Sequence, residues 1–251
     1  RTWRIFWHVV SCKKILEIVM TNSMGNYTYL VIDILTILFP FLLSFDKKVH
    51  FYTYWRSLFI GIVWVGLVYV CWDMLYTYLG VWSFNARYTL SFRIGALPLE
   101  EWLFFLVVPY ACAFIYTCLN AYFTIKQAGK LLWSLFFISG ILLIIIGIVF
   151  HDLYYTAATM LLAGAVNCYL YFVRSKLTQF NLRVFLYSFL IALIPFLIVN
   201  GLLTSLPVVL YNNTENLGIR IYSIPVEDVV YGYVLLLGTI VIMQQANKAK
   251  I

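Results

Sequence analysis

Seven long apolar runs alternate with short polar breaks along this chain, at roughly 28–45, 57–79, 99–122, 131–150, 154–172, 184–206 and 225–245. A helix needs ~20 residues to cross the hydrocarbon core of a bilayer, and each run is close to that length. Backbone in lipid must satisfy its own hydrogen bonds, so runs of this kind predict helices. The pattern predicts an all-α membrane protein with seven transmembrane helices.

A block of polar punctuation recurs 127 residues downstream. Arg93-Ile94-Gly95-Ala96-Leu97-Pro98-Leu99-Glu100-Glu101 returns as Arg220-Ile221-Tyr222-Ser223-Ile224-Pro225-Val226-Glu227-Asp228. The same ungapped offset matches Tyr27 with Tyr154, Phe45 with Phe172, Arg56 with Arg183 and Asn85 with Asn212, and sets Asp73 against Asn200. It carries the first three runs onto the last three and leaves the fourth as a connector, a 3+1+3 arrangement. Three spans and one connector return the chain to its starting side. The repeats are therefore expected to be parallel, about a pseudo-two-fold axis along the membrane normal; an inverted repeat needs an odd number of crossings. The expected divisions are a first repeat over 24–123, a connector over 124–150 and a second repeat over 151–251. Residues 1–23 are basic, partly apolar and too interrupted to span; they are expected to be an interfacial helix or a consequence of where the sequence starts.

Composition agrees with the pattern. Hydrophobic residues make up 64% of the chain and charged residues 11%, against about 25% charged in soluble proteins. The net charge of +7 is spread over short loops, so it sets topology and does not point to nucleic acid. Lys47, Lys48, Arg56, Lys126, Lys130, Arg174, Lys176, Arg183, Lys248 and Lys250 fall on one side, and Arg87, Arg93 and Arg220 on the other. That bias places the first set in the cytoplasm and both acid motifs toward the opposite face. The five cysteines show no C-x-x-C pairing and the three histidines are scattered, so neither a disulfide framework nor a metal site is expected.

The acids then need an explanation. Proline in a first turn followed by acids is ordinary helix-start chemistry. Yet acids at a membrane helix are costly, and these are paired, duplicated and carried by spans that the repeat brings toward one axis. Two carboxyls in one apolar pocket cannot both ionise cheaply, which makes an acid beside a base. Glu100 and Glu227 are the expected acid–base pair, with milder roles for Glu101 and Asp228, about 100° away around their helices. Asp73 reads equally as a helix-end residue or as a third carboxylate of the pocket. Asp33 lies in mid-span opposite Met160 and reads as structural. Arg93 and Arg220 either pair with the acids or anchor at headgroups. Trp82, Asn85, Tyr88, Phe104, Phe105, Tyr116 and Tyr231 cluster around the motifs. They read as interfacial belt and packing, or as an aromatic pocket that stabilises a carbocation.

No P-loop, G-x-G-x-x-G or G-x-S-x-G is present, and the seventh run has no lysine to carry a retinal Schiff base. Trp72-Asp73, Gly80-Val81-Trp82-Ser83-Phe84-Asn85, Leu97-Pro98-Leu99-Glu100-Glu101-Trp102-Leu103-Phe104-Phe105 and Ile224-Pro225-Val226-Glu227-Asp228 resemble the membrane-integral lycopene cyclases, in the fused two-repeat bacterial form. The resemblance covers about residue 25 to the C-terminus. It implies cyclisation of the acyclic ends of lycopene to give γ-carotene and then β-carotene. Lycopene and other acyclic carotenoids in the bilayer would be the substrates, in a bacterial inner membrane. The reaction is an isomerisation, so no cofactor is expected. Trp82, Asn85, Phe104, Phe105, Tyr231 and Asn212 are the expected substrate contacts; Glu100, Glu227, Glu101, Asp228 and Asp73 are the expected catalytic set. A proton-coupled transporter or channel is the alternative reading of the same carboxylates. Apart from Asp33, the span middles carry no charge, which favours the enzyme.

Overall fold

A computed structural model describes residues 25–248; the segment 1–23 lies outside the described residues. Among the described residues, seven helices are long and apolar enough to cross a membrane. We label their α-helical portions α1 (Thr28–Leu42), α2 (Trp55–Tyr78), α3 (Leu99–Tyr122), α4 (Lys130–Val149), α5 (Tyr154–Val173), α6 (Leu182–Ser205) and α7 (Val226–Lys248). Large apolar side chains such as Phe39, Trp64, Val68, Leu131, Ile148, Tyr169, Ile194 and Ile198 point outward. That is the surface a lipid-embedded bundle requires.

The helices do not carry the site alone. Six short strands occupy the two long connections at one end of the bundle: β1 (Trp82–Phe84), β2 (Arg93–Ile94) and β3 (Leu97–Pro98) after α2, then β4 (Val209–Tyr211), β5 (Arg220–Ile221) and β6 (Ile224–Pro225) after α6. β2 pairs with β3 and β5 with β6, each as a tight antiparallel hairpin leading straight into an acid-bearing helix. The first turn residue has positive φ in both, 65° at Gly95 and 62° at Tyr222, as a two-residue turn matching strand twist requires. Arg93 and Arg220 donate to carbonyls of their own hairpins, at Ala96 (3.2 Å) and Ser223 (2.8 Å). Their guanidinium groups therefore brace the turns.

β1 and β4 pair antiparallel across the two halves, with Ser83 opposite Leu210. Those two are equivalent positions under the 127-residue offset, so the ribbon has a local two-fold between them. The flanking bonds obey it: the Asn85 amide donates to the Val208 carbonyl (2.9 Å) and the Asn212 amide to the Val81 carbonyl (2.8 Å). Asn85 and Asn212 also cap the turns that follow, each side-chain oxygen accepting the amide two residues on.

Helix pairing follows the same logic. α2 packs extensively on α7, and α3 on α6; α1 lies on α3, and α5 on α7. α4 packs chiefly against α5, on the outside. Two crossings depend on glycine. A Cβ at Gly61 of α2 would stand 2.6 Å from the Thr239 carbonyl oxygen of α7, and one at Gly164 of α5 2.5 Å from the Gly140 oxygen of α4. Small residues let membrane helices approach this closely.

Candidate active site

Six carboxyl side chains are buried at the strand-bearing end of the bundle: Asp33, Asp73, Glu100, Glu101, Glu227 and Asp228. Among the described residues, the hydrogen-bond network around them contains no lysine or arginine, and the ion pair His151–Asp152 lies elsewhere and is exposed. Buried charge without a counter-charge is expensive, so hydrogen bonds decide what each carboxyl can do.

Within each motif the helix splits the acids. Glu100 Oε1 accepts the Leu90 amide at 2.7 Å, and Glu227 Oε1 accepts the Leu217 amide at 2.8 Å and the Thr156 hydroxyl at 2.6 Å. These two acids hold the loops in front of the hairpins. Glu101 and Asp228, one position on, face a shared pocket with Asp73 and Asn200. Asp228 is fully engaged: its oxygens accept Tyr155 Oη (2.6 Å), Tyr211 Oη (2.9 Å) and Asn200 Nδ2 (2.8 Å). Glu101 accepts Tyr29 Oη at 2.6 Å. Asp73 accepts the Trp82 indole N–H. Its other oxygen has no hydrogen-bond partner, and Asp73 lines the same pocket as Glu101. Two carboxyls facing one apolar pocket cannot both ionise cheaply.

Aromatic rings form the rest of the wall. Trp82 packs edge-on to Tyr155 (5.2 Å between centroids) and close to Tyr211 and Tyr231. Tyr155 and Tyr211 are stacked, 17° from parallel. Burial, reinforced by the neighbouring Asp228 carboxylate, holds the Tyr211 phenol well above its ordinary pKa, so it stays a neutral donor. Phe84, Phe104 and Phe196 complete the apolar side.

The expected residues are therefore sorted by the fold. Glu101, Asp228, Asp73, Trp82, Phe104 and Tyr231 converge on the pocket. Glu100 and Glu227 lie beside it, bonded to loops. Phe105 packs behind, against Tyr69 and Phe104, and Asn85 and Asn212 serve the β1–β4 ribbon. Sequence reasoning missed Tyr29, Tyr155, Tyr211 and Phe196 and treated Asn200 only as the mate of Asp73. Among the described residues, no group of three or more His, Cys, Asp or Glu is arranged to hold a metal ion.

The lycopene cyclase family model matches residues 26–119 and 152–246. This chain belongs to the lycopene cyclase family. Both halves match, so it corresponds to the fused two-repeat form, an integral membrane enzyme of carotenoid cyclisation. The matched segments begin 126 residues apart and end 127 apart. The structure carries the same slip. The Tyr29 amide bonds the Tyr88 carbonyl and its hydroxyl bonds Glu101; the Tyr155 amide bonds the Glu215 carbonyl and its hydroxyl bonds Asp228. Tyr29 and Tyr155 are equivalent at an offset of 126, not 127, a one-residue correction to the ungapped alignment. No curated protein and no solved structure matches the chain.

Proposed function

We propose that this lycopene cyclase is a β-cyclase that closes the acyclic ends of lycopene, giving γ-carotene and then β-carotene with no net redox change. The observation carrying the proposal is the contrast between two carboxyl sites facing one pocket. Asp73 and Glu101 face the same pocket with one donor each, Trp82 and Tyr29, an arrangement that favours keeping a proton on one of the two. Asp228 is an anion held by three donors, the bonding that favours a charged carboxylate.

The pair delivers its proton to the terminal alkene, forming a C–H bond and a tertiary cation. The neighbouring double bond attacks that cation and closes the ring, moving the positive charge to the next tertiary carbon. Asp228 removes a ring proton, and the electron pair of that C–H bond becomes the ring alkene. One proton enters and one leaves, so the product is an isomer and the enzyme class is an intramolecular lyase or isomerase. The faces of Trp82, Tyr155, Tyr211 and Tyr231 stabilise the passing cation, and fixed dipoles in a dry pocket supply more than the acid alone. Glu100 and Glu227 are positioning residues, holding the loops in front of the two hairpins.

The 3+1+3 parallel duplication is part of the same reading. Its support is the self-paired β1–β4 register and the meeting of the starts of α1, α3, α5 and α7 with the ends of α2 and α6 around one pocket. We further propose, from the Lys/Arg bias, that the pocket lies toward the non-cytoplasmic face of a bacterial cell membrane.

The test is expression in a lycopene-accumulating bacterium followed by pigment chromatography. Conversion to γ- and β-carotene is expected. Unchanged lycopene, with the protein intact in the membrane, sinks the cyclase reading; a product with another ring isomer sinks the β assignment alone.

A further inference from the structure

A second cleft opens between α1, α3 and α6, directly below the acid pocket. Phe104, Phe196 and Asn200 line both spaces. From that shared wall the cleft runs away from the acids along Val108, Cys112, Ala192 and Val199. Asn200 at its top is the last amide or carboxyl group; below it the lining is apolar except for Thr36, whose hydroxyl is spent on its own helix at the Ile32 carbonyl. At ~1.5 Å per helical residue, the α3 wall from Phe104 to Ile115 is roughly 16 Å long.

The equivalent place in the other half is closed. Under the 127-residue offset, Val199, Phe196 and Phe104 correspond to Trp72, Tyr69 and Tyr231. These three rings pack on one another, with centroids 4.6 Å (Tyr69–Tyr231), 5.1 Å (Trp72–Tyr231) and 5.6 Å (Tyr69–Trp72) apart. Beyond them, the groove between α2 and α5 shares no lining residue with the acid pocket. The backbones differ in the same sense. Each helix around the open cleft has an internal proline, Pro40 in α1, Pro109 in α3 and Pro195 in α6. Their counterparts α5, α7 and α2 have none. An internal proline removes a helical hydrogen bond and lets the helix bend.

We infer that the α1/α3/α6 cleft is the binding site for the polyene chain of the substrate, and that this one side alone connects the acid pocket to the bilayer interior. The inference rests on the cyclase reading for the identity of its occupant. The chemistry fits one class of ligand: a long, narrow, wholly apolar rod whose reactive end must sit among carboxyls. A substrate held there presents one end at a time, so the second ring forms only after the monocyclic product has left and returned reversed.

The experiment uses the full chain in lipid nanodiscs. Acyclic polyene is added, and its induced circular dichroism is followed, since an achiral polyene acquires that signal only in an ordered chiral site. Val199→Trp installs the residue of the closed side, and Ala192→Leu is a milder narrowing in case the first variant does not fold. Ala158→Phe, in the groove between α2 and α5, is the control. Lycopene binding is expected to weaken at least tenfold in the narrowed variants and to match wild type in the control. Wild-type binding by a folded Val199→Trp or Ala192→Leu protein overturns the inference, as does equal loss in Ala158→Phe. Polyene binding with this pattern by a chain that cyclises nothing leaves the cleft standing and defeats the cyclase reading. Cyclisation by a narrowed variant at the wild-type KM defeats the cleft and leaves that reading intact.

Discussion

Adjacent residues of a helix point about 100° apart, and in both acid motifs that angle separates a loop-holding acid from a pocket-facing one. Glu101→Gln and Asp228→Asn keep size and hydrogen-bonding atoms but remove the proton donor or the basic carboxylate. Each is expected to lower cyclisation by roughly 10²-fold or more. Glu100→Gln and Glu227→Gln still offer an oxygen to the Leu90 and Leu217 amides, so each should cost about 1 kcal/mol of stability with turnover within a few-fold. Pigment yield at matched membrane protein levels checks both, and the reverse order would return catalysis to Glu100 and Glu227. Tyr211 adds a pH signature. Its folded pKa is raised by burial, so its contribution to stability is full below the ordinary tyrosine range and lost as pH rises above ~10. The Tm difference between wild type and Tyr211→Phe should be constant from pH 6 to 9 and shrink above 10. The acids themselves were legible in the sequence; which of them face the pocket and which bond the loops was not. Phe104 is four residues from Glu100 and three from Glu101, so helical spacing alone put the ring near either. Tyr29 and Tyr155, which bond the pocket-facing acid in each half, were hidden by the one-residue slip between repeats.

At the scale of elements, the hydrophobic pattern located the spans well. The run read as 99–122 is the helix Leu99–Tyr122, and that read as 184–206 is Leu182–Ser205. The hairpins and the β1–β4 ribbon fall in what the pattern shows only as breaks between runs, because strands of two or three residues are too short to display a period. Their partners are also distant in sequence, as with Trp82 and Tyr211. The two glycine crossings give an element-scale test. Gly61→Val forces α2 from α7, which carry Asp73 and Asp228; overpacking of this kind costs ~1–3 kcal/mol and should abolish activity as well. Gly164→Val separates α5 from α4, which lines no part of the pocket. It should lower Tm by a similar amount while the protein that remains folded keeps more than half its turnover. Equal activity loss in both would mean that α4 has a part in the site.

Across the whole molecule, the two halves meet around one pocket and are joined through residues 123–129, which form no regular structure. Cutting the chain there and co-expressing the pieces should restore cyclisation to within about tenfold, because the surfaces that bring the halves together lie in α2, α3, α6, α7 and the ribbon. The gel-resolved pieces should copurify, and failure of separately stable pieces to associate would locate the joining energy in the covalent link. A reporter after Lys250 is expected on the cytoplasmic side and one near Asn213 on the other.

The Asp73/Asn200 difference sets a limit on that experiment. On the proposed roles, two copies of the first half would assemble two Asp–Glu proton donors and no carboxylate ringed by donors to receive a proton. Two copies of the second would assemble two such receivers and nothing to give. On those proposed roles the duplication left no redundancy: each half complements the other, and neither is expected to stand in for it.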